Sequence, residues 1–115
     1  MRVGIVSISK VDRQQVFEFM ESLKFEPTEL LTSAKGAGSW WAESWTAGQI
    51  PIVRIEPDFK LYGAKAVPKA HDKMIFECDA LVAFYDRKSK PVGDMIKYAI
   101  FKKKEVAICY VDDYQ

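Results

Sequence analysis

Histidine occurs once in this chain and cysteine only twice. A lone His71, with no Cys-x-x-Cys motif and no second histidine, leaves no donor set for a zinc site. Cys78 and Cys109 are too few for a disulfide framework. Both sit in apolar, strand-like surroundings and read as free, buried thiols of a reducing compartment. No apolar run approaches the roughly 18 residues needed to span a bilayer. The opening Arg2-Val3-Gly4-Ile5-Val6 is too short and too strand-like for a secretory signal. An excess of either charge is also missing. Lys and Arg number 17 and Asp and Glu 16, which argues against nucleic acid as the main partner. Neither a P-loop nor a G-x-G-x-x-G fingerprint occurs. The expectation is a soluble, cytoplasmic protein with no membrane partner, no metal and no cofactor.

What is present points to one α/β domain spanning residues 1–115. Almost half the chain, 49%, is hydrophobic, enough for a proper core. Val3 to Ile8 is a compact first strand. Asp12 caps a helix carrying Val16, Phe17, Phe19, Met20 and Leu23 inward, and Pro27 stops its continuation. Glu29 to Thr32 is a second strand, followed by a small-residue loop to Ser39. A helix over Trp40 to Ala47 is closed by Gly48. Ile50 to Ile55 is a third strand. Glu56 to Pro68 reads as a long loop and Lys69 to Glu77 as a short helix. Leu81 to Phe84 is a strand apolar on both faces. Pro91 opens a helix at its first position, and Lys102-Lys103-Lys104 suits that helix's negative end. Val106 to Tyr110 is the last strand. Such alternation calls for a three-layer, doubly wound, parallel five-stranded sheet, Rossmann-like, with default order 3-2-1-4-5.

In this architecture ligands bind at the carboxyl ends of the strands. Four loops meet there: Ser7 to Lys10, Thr32 to Ser39, Glu56 to Val67 and Tyr85 to Val92. The Thr32–Ser39 loop carries Ser33, Lys35, Gly36, Gly38 and Ser39 into a helix start. Such a loop lets backbone N–H groups approach an anion, and a tight turn needs small residues equally. Tyr62 and Tyr85 stand on loops, placed to stack on a base or ribose. Asp58 and Asp86 follow apolar runs and bind a ribose hydroxyl or cap the next turn. Ser89 is a helix cap or a phosphate contact. Trp40, Trp41 and Trp45 read as packing, with Trp40 turned away as a stacking or oligomer surface. His71 reads as an exposed helix residue. A Ser39, His71 and Asp86 triad lacks any nucleophile-elbow motif.

Several segments together carry a resemblance. They are the Thr32–Ser39 loop, Trp45, Ile50-Pro51, Pro57-Asp58-Phe59-Lys60-Leu61-Tyr62-Gly63-Ala64-Lys65-Ala66 and Met74. Then follow Asp79-Ala80-Leu81-Val82-Ala83-Phe84-Tyr85-Asp86, Ser89, Met95 and Ile96. The chain resembles the SLOG superfamily of Rossmann-like nucleotide-binding domains, and most closely its small YspA-like branch, often phage-encoded or bacterial. The match is specific in the second half and loose in the first. Ser33-Ala34 replaces a Gly-Gly pair, Ser39 a closing Asp, Ser7-Ile8-Ser9 a Gly-Ser-Arg turn, Ala70-His71 an Arg-Asn pair, and Pro91-Val92 a Gly-Thr pair. Proline there removes a backbone donor and valine a hydroxyl. The Pro-Gly-Gly-x-Gly-Thr-x-x-Glu motif of the related LOG enzymes is absent, so their cleavage of nucleoside monophosphates does not carry over.

The resemblance implies a homo-oligomeric, non-catalytic binder of a nucleotide-derived molecule such as an ADP-ribose-like or cyclic-nucleotide signal. A phage counter-defence protein that sequesters that signal fits the same analogy. The ligand residues would be Ser9, Ser33, Lys35, Gly36, Gly38, Ser39, Asp58, Tyr62, Tyr85, Asp86 and Ser89. That expectation rests on Ser39, Asp58, Tyr62 and Asp86 gathering around one hollow. Two alternatives stay open. One is a nucleotide hydrolase using Asp86 or Asp58 as general acid or base. The other is a protein-interaction module that kept the fold and lost the ligand.

Overall fold

The structure, a computed structural model, describes residues 1–33 and 36–111. The elements run β1 (Arg2–Ser7), α1 (Arg13–Glu21), β2 (Glu29–Thr32), α2 (Ala37–Thr46), β3 (Ile52–Arg54) and α3 (Phe59–Tyr62). A 3-10 turn (Gly63–Lys65) leads into α4 (Ala66–Glu77), then β4 (Ala80–Tyr85), α5 (Lys90–Phe101) and β5 (Glu105–Tyr110). The five strands form one sheet in the order β3-β2-β1-β4-β5, parallel throughout. This is the doubly wound, Rossmann-like arrangement read from the alternation, with its topological switch between β1 and β4.

Register explains the layers. Ser7 and Phe84 are partners across β1 and β4, so both project onto one face. There Phe19 of α1 meets the Phe84 ring edge-on at 5.7 Å, and Gly38 of α2 donates its N–H to Ser7. Gly4 and Leu81 are also partners and project onto the opposite face. A Cβ on Gly4 would lie 3.1 Å from Cγ of Met74 in α4. Helices α4 and α5 therefore cover that second face. Ala80 to Phe84 are buried without interruption, as a strand covered on both sides must be. Val3, Ile5, Leu30, Leu31 and Met74 complete the centre of the core.

Local chemistry shifts several expected boundaries. The segment Glu56–Pro68 is not a continuous loop. Asp58 accepts from the Leu61 N–H and starts α3, and α4 begins at Ala66 rather than Lys69. Pro68 is tolerated because it occupies the third helical position, where its missing N–H has no intrahelical partner to lose. Helix α2 starts at Ala37, three residues before Trp40, and its last turn is reversed by left-handed Ala47 as well as Gly48. Helix α1 ends at Glu21, well before Pro27. Ser22 caps it and donates its hydroxyl to the Phe19 carbonyl. Pro91 is the second residue of α5, because Ser89 is the cap and Lys90 the first. Strand β3 is the three residues Ile52–Arg54, shorter than Ile50 to Ile55. Among the described residues no helix is long and apolar enough to cross a membrane. Cys78 and Cys109 are buried free thiols, and burial raises the pKa of each.

Candidate functional site

The residues expected at the strand ends separate into three places. The first is the junction of β1 and α2. Ser7 Oγ accepts from the Gly38 N–H at 3.0 Å and donates to the Ile8 carbonyl at 2.7 Å. Gly36 has φ +89°, and a Cβ on it would stand 2.8 Å from the Ser7 carbonyl oxygen. A Cβ on Gly38 would collide with Ser7 Oγ and come within 2.7 Å of the Phe84 ring. Both glycines are thus required by the close seat of α2 on β1. Ser39 is 1% exposed, and among the described residues its hydroxyl has no hydrogen-bond partner. No described base reaches it, so the Ser39, His71 and Asp86 triad is not assembled. Ser33 is half-buried and Ser9 exposed at the same end, while Lys35 lies outside the described residues.

The second place is the start of α5. Asp86 Oδ1 accepts from the N–H groups of Lys88 and Ser89, both at 2.9 Å. Those two donors hold the carboxyl below its ordinary pKa. Ser89 in turn accepts from the Val92 N–H at 3.4 Å and caps the helix. The half-buried Tyr85 lies across α5, with its hydroxyl 2.8 Å from where a Cβ on Gly93 would stand. Asp86 and Ser89 are thereby engaged as caps. An ionised, hydrogen-bonded carboxylate holds no proton to donate at neutral pH, so Asp86 suits the general-acid role poorly.

The third place is open. Beyond β3, a hollow of about 500 Å³ is bounded by Ile55, Glu56, Asp58, Tyr62, Lys69 and Lys73. Helix α4 supplies its floor with small Ala66 and Ala70 and its wall with Lys69 and Lys73. These residues lie three to four apart and so share one stripe of the helix. Tyr62 is exposed, and Lys69 Nζ sits 5.7 Å from its ring centre. Lys73 stands 3.9 Å from Glu77, a loose surface pairing. Asp58 is committed in part, through Oδ1, to the Leu61 N–H at 3.0 Å. Ser39 and Asp86 do not line this hollow, so the expected gathering of Ser39, Asp58, Tyr62 and Asp86 reduces to Asp58 and Tyr62. The reason is topological. Ser39 is drawn inward by the β1 junction, and Asp86 turns back on its own helix.

Glu56, Lys69 and Lys73 were not singled out from the sequence. The signal was there in the four-residue spacing of the lysines, one helical turn apart after Tyr62. On the other side of α4 lies a hollow of about 480 Å³ lined by Val67, Pro68, His71, Ile75, Met95 and Tyr98 among others. It is apolar. His71, expected to be exposed, is half-buried against it. Its cation Lys90 is paired with Asp94 at 2.9 Å. No family model, curated protein or solved structure matches the chain.

Proposed function

We propose that the hollow beyond β3 binds a nucleotide-derived small molecule without transforming it. One observation carries this reading: an exposed aromatic ring and two lysines face the same ~500 Å³ space beside a strand end. That volume lies within the ~300–1,000 Å³ typical of small-molecule sites. The base stacks on Tyr62. The phosphates pair with Lys69 and Lys73, whose present partners are weak enough to be exchanged. Glu56 and Asp58 offer acceptors to ribose hydroxyls. The apolar hollow across α4 supports this reading less well, because a polyanion placed there meets one lysine already neutralised by Asp94.

Calorimetric titration with AMP, ADP-ribose and cyclic dinucleotides tests the proposal. Saturable binding that Tyr62→Ala or the pair Lys69→Ala and Lys73→Ala weakens is the expected result. Folded protein giving no heat with any of these would end it, and so would binding that these substitutions leave untouched. Product formation during the titration, lost in Asp58→Asn, would instead favour a hydrolase.

A further inference from the structure

Helices α4 and α5 lie side by side with an apolar seam between them. Each has 12 residues, and their ends are tied together, because Lys104, just beyond α5, donates to the Phe76 carbonyl near the end of α4. Both lead into strands of one parallel sheet from the same face, so both run in the same direction. At the ordinary helical rise each is about 18 Å long. The hollow of about 480 Å³ opens along the seam, with Pro68 and Ile75 on one wall and Pro91, Met95 and Tyr98 on the other.

The apolar surface continues past the hollow toward the ends of both helices. Phe76 stands one turn beyond Asp72 of the hollow, and Phe101 one turn beyond Tyr98. Each is 74% exposed, and no large apolar side chain among the described residues is more so. Single exposed apolar residues need no explanation, but two phenylalanines extending an apolar hollow mark a contact surface. Lys102 Nζ lies 5.6 Å from the Tyr98 ring centre and 5.9 Å from that of Phe101, which places its charge at this same end.

Shape and charge indicate the occupant. The strip is as long as about three turns of helix, more than a small molecule in the hollow would cover. Within the hollow Lys90 pairs with Asp94 at 2.9 Å, and Asp72 adds a net negative charge. The far end, at Lys102, is positive. An anionic bilayer laid on the strip would meet the carboxylates of Asp72 and Asp94. We infer that this strip receives an amphipathic helix of another protein, antiparallel to α4 and α5. Its apolar residues, at i, i+3, i+4 and i+7, enter the hollow and cover Phe76 and Phe101. Acidic side chains in its first turn meet Lys102, and basic ones in its last turn meet Asp72. That charge order is the one a helix favours for its own dipole, and the antiparallel direction opposes its dipole to those of α4 and α5. The strip lies across α4 from the ligand hollow beyond β3, so it stands whether or not a nucleotide binds there.

Selection from a displayed library of random peptides of about 14 residues, with the full chain as bait, tests this. Enriched peptides should carry the helical apolar spacing, acids in the first turn and bases in the last. A synthetic peptide of that consensus should gain helical circular dichroism on binding. Phe76→Ser with Phe101→Ser should weaken it about tenfold, while the melting temperature stays within about two degrees, because both rings are exposed. Asp72→Lys with Lys102→Glu should shift preference to the peptide with its end charges exchanged. No enrichment over a blank surface overturns the inference. So does a consensus peptide that binds without becoming helical, or one indifferent to the phenylalanine substitutions or to the order of its charges. Partition of the chain into phosphatidylserine vesicles, lost in the double serine variant, would assign the strip to a membrane and overturn it too. A wild-type dimer lost in that variant would overturn it in favour of a second copy.

Discussion

The β1–α2 junction and the β3–α4 junction begin from similar sequence material, yet one is sealed and the other open. Both lie at strand ends and use small, polar and glycine residues. At the first, Ser7, Gly36 and Gly38 bring helix and strand so close that no Cβ fits between them, and Ser39 is shut inside. At the second, α3 and a 3-10 turn intervene between strand and helix, and Ala66 and Ala70 floor a hollow rimmed by Tyr62, Lys69 and Lys73. Glycine in a strand-to-helix loop therefore signals close approach, but not what approaches. At β1 the visitor is the protein itself.

The largest expected effect falls on the sealed junction. Gly38→Ala should destabilise folding by about 3 kcal/mol in chemical denaturation, because the methyl group overlaps Ser7 and Phe84 in a packed interior. An unchanged denaturation midpoint would break the contrast. At the open junction the order reverses, with binding suffering and stability not. Tyr62→Ala should weaken nucleotide binding about tenfold, equivalent to ~1.4 kcal/mol, while the melting temperature stays within about two degrees of wild type. Asp58→Ala should cost about 1 kcal/mol or less through loss of the α3 cap, read by the same denaturation series.

The smallest effect concerns Asp86. Its folded-state pKa lies below the unfolded value, so its contribution is present above about pH 4 and fades as pH falls through the folded value. Asp86→Asn keeps an oxygen acceptor and removes the titration. Its stability should therefore vary less than that of wild type over the acid limb, measured by urea melts from pH 5 down to pH 2. Identical slopes would show that the two backbone donors contribute nothing to that limb.

Much of the fold was legible because its signals are local. The apolar run from Ala80 to Phe84 is a strand in any context that covers both faces. Asp12 and Ser89 announce helix starts through their own oxygens. Misread boundaries lay where one rule overrode another. Pro68 suggested loop although the first turn of a helix accepts proline, and β3 was overextended because Pro51 and Ile55 flank a strand only three residues long. The candidate site was half legible. Asp58 and Tyr62 line one hollow, and Lys69 and Lys73, already inside the helix read over Lys69 to Glu77, join them there only through the tertiary packing.

Strand and helix alternation, the parallel sheet it demands and the caps that start its helices followed from residues a few positions apart, because φ, ψ and burial periodicity are local. Which strand end stays open was decided only in three dimensions. Ser7 meets Gly38 across 31 positions, and Gly4 meets Met74 over a still longer gap. No short window of sequence contains both partners of either contact, and the closeness of those approaches sets where a ligand has room.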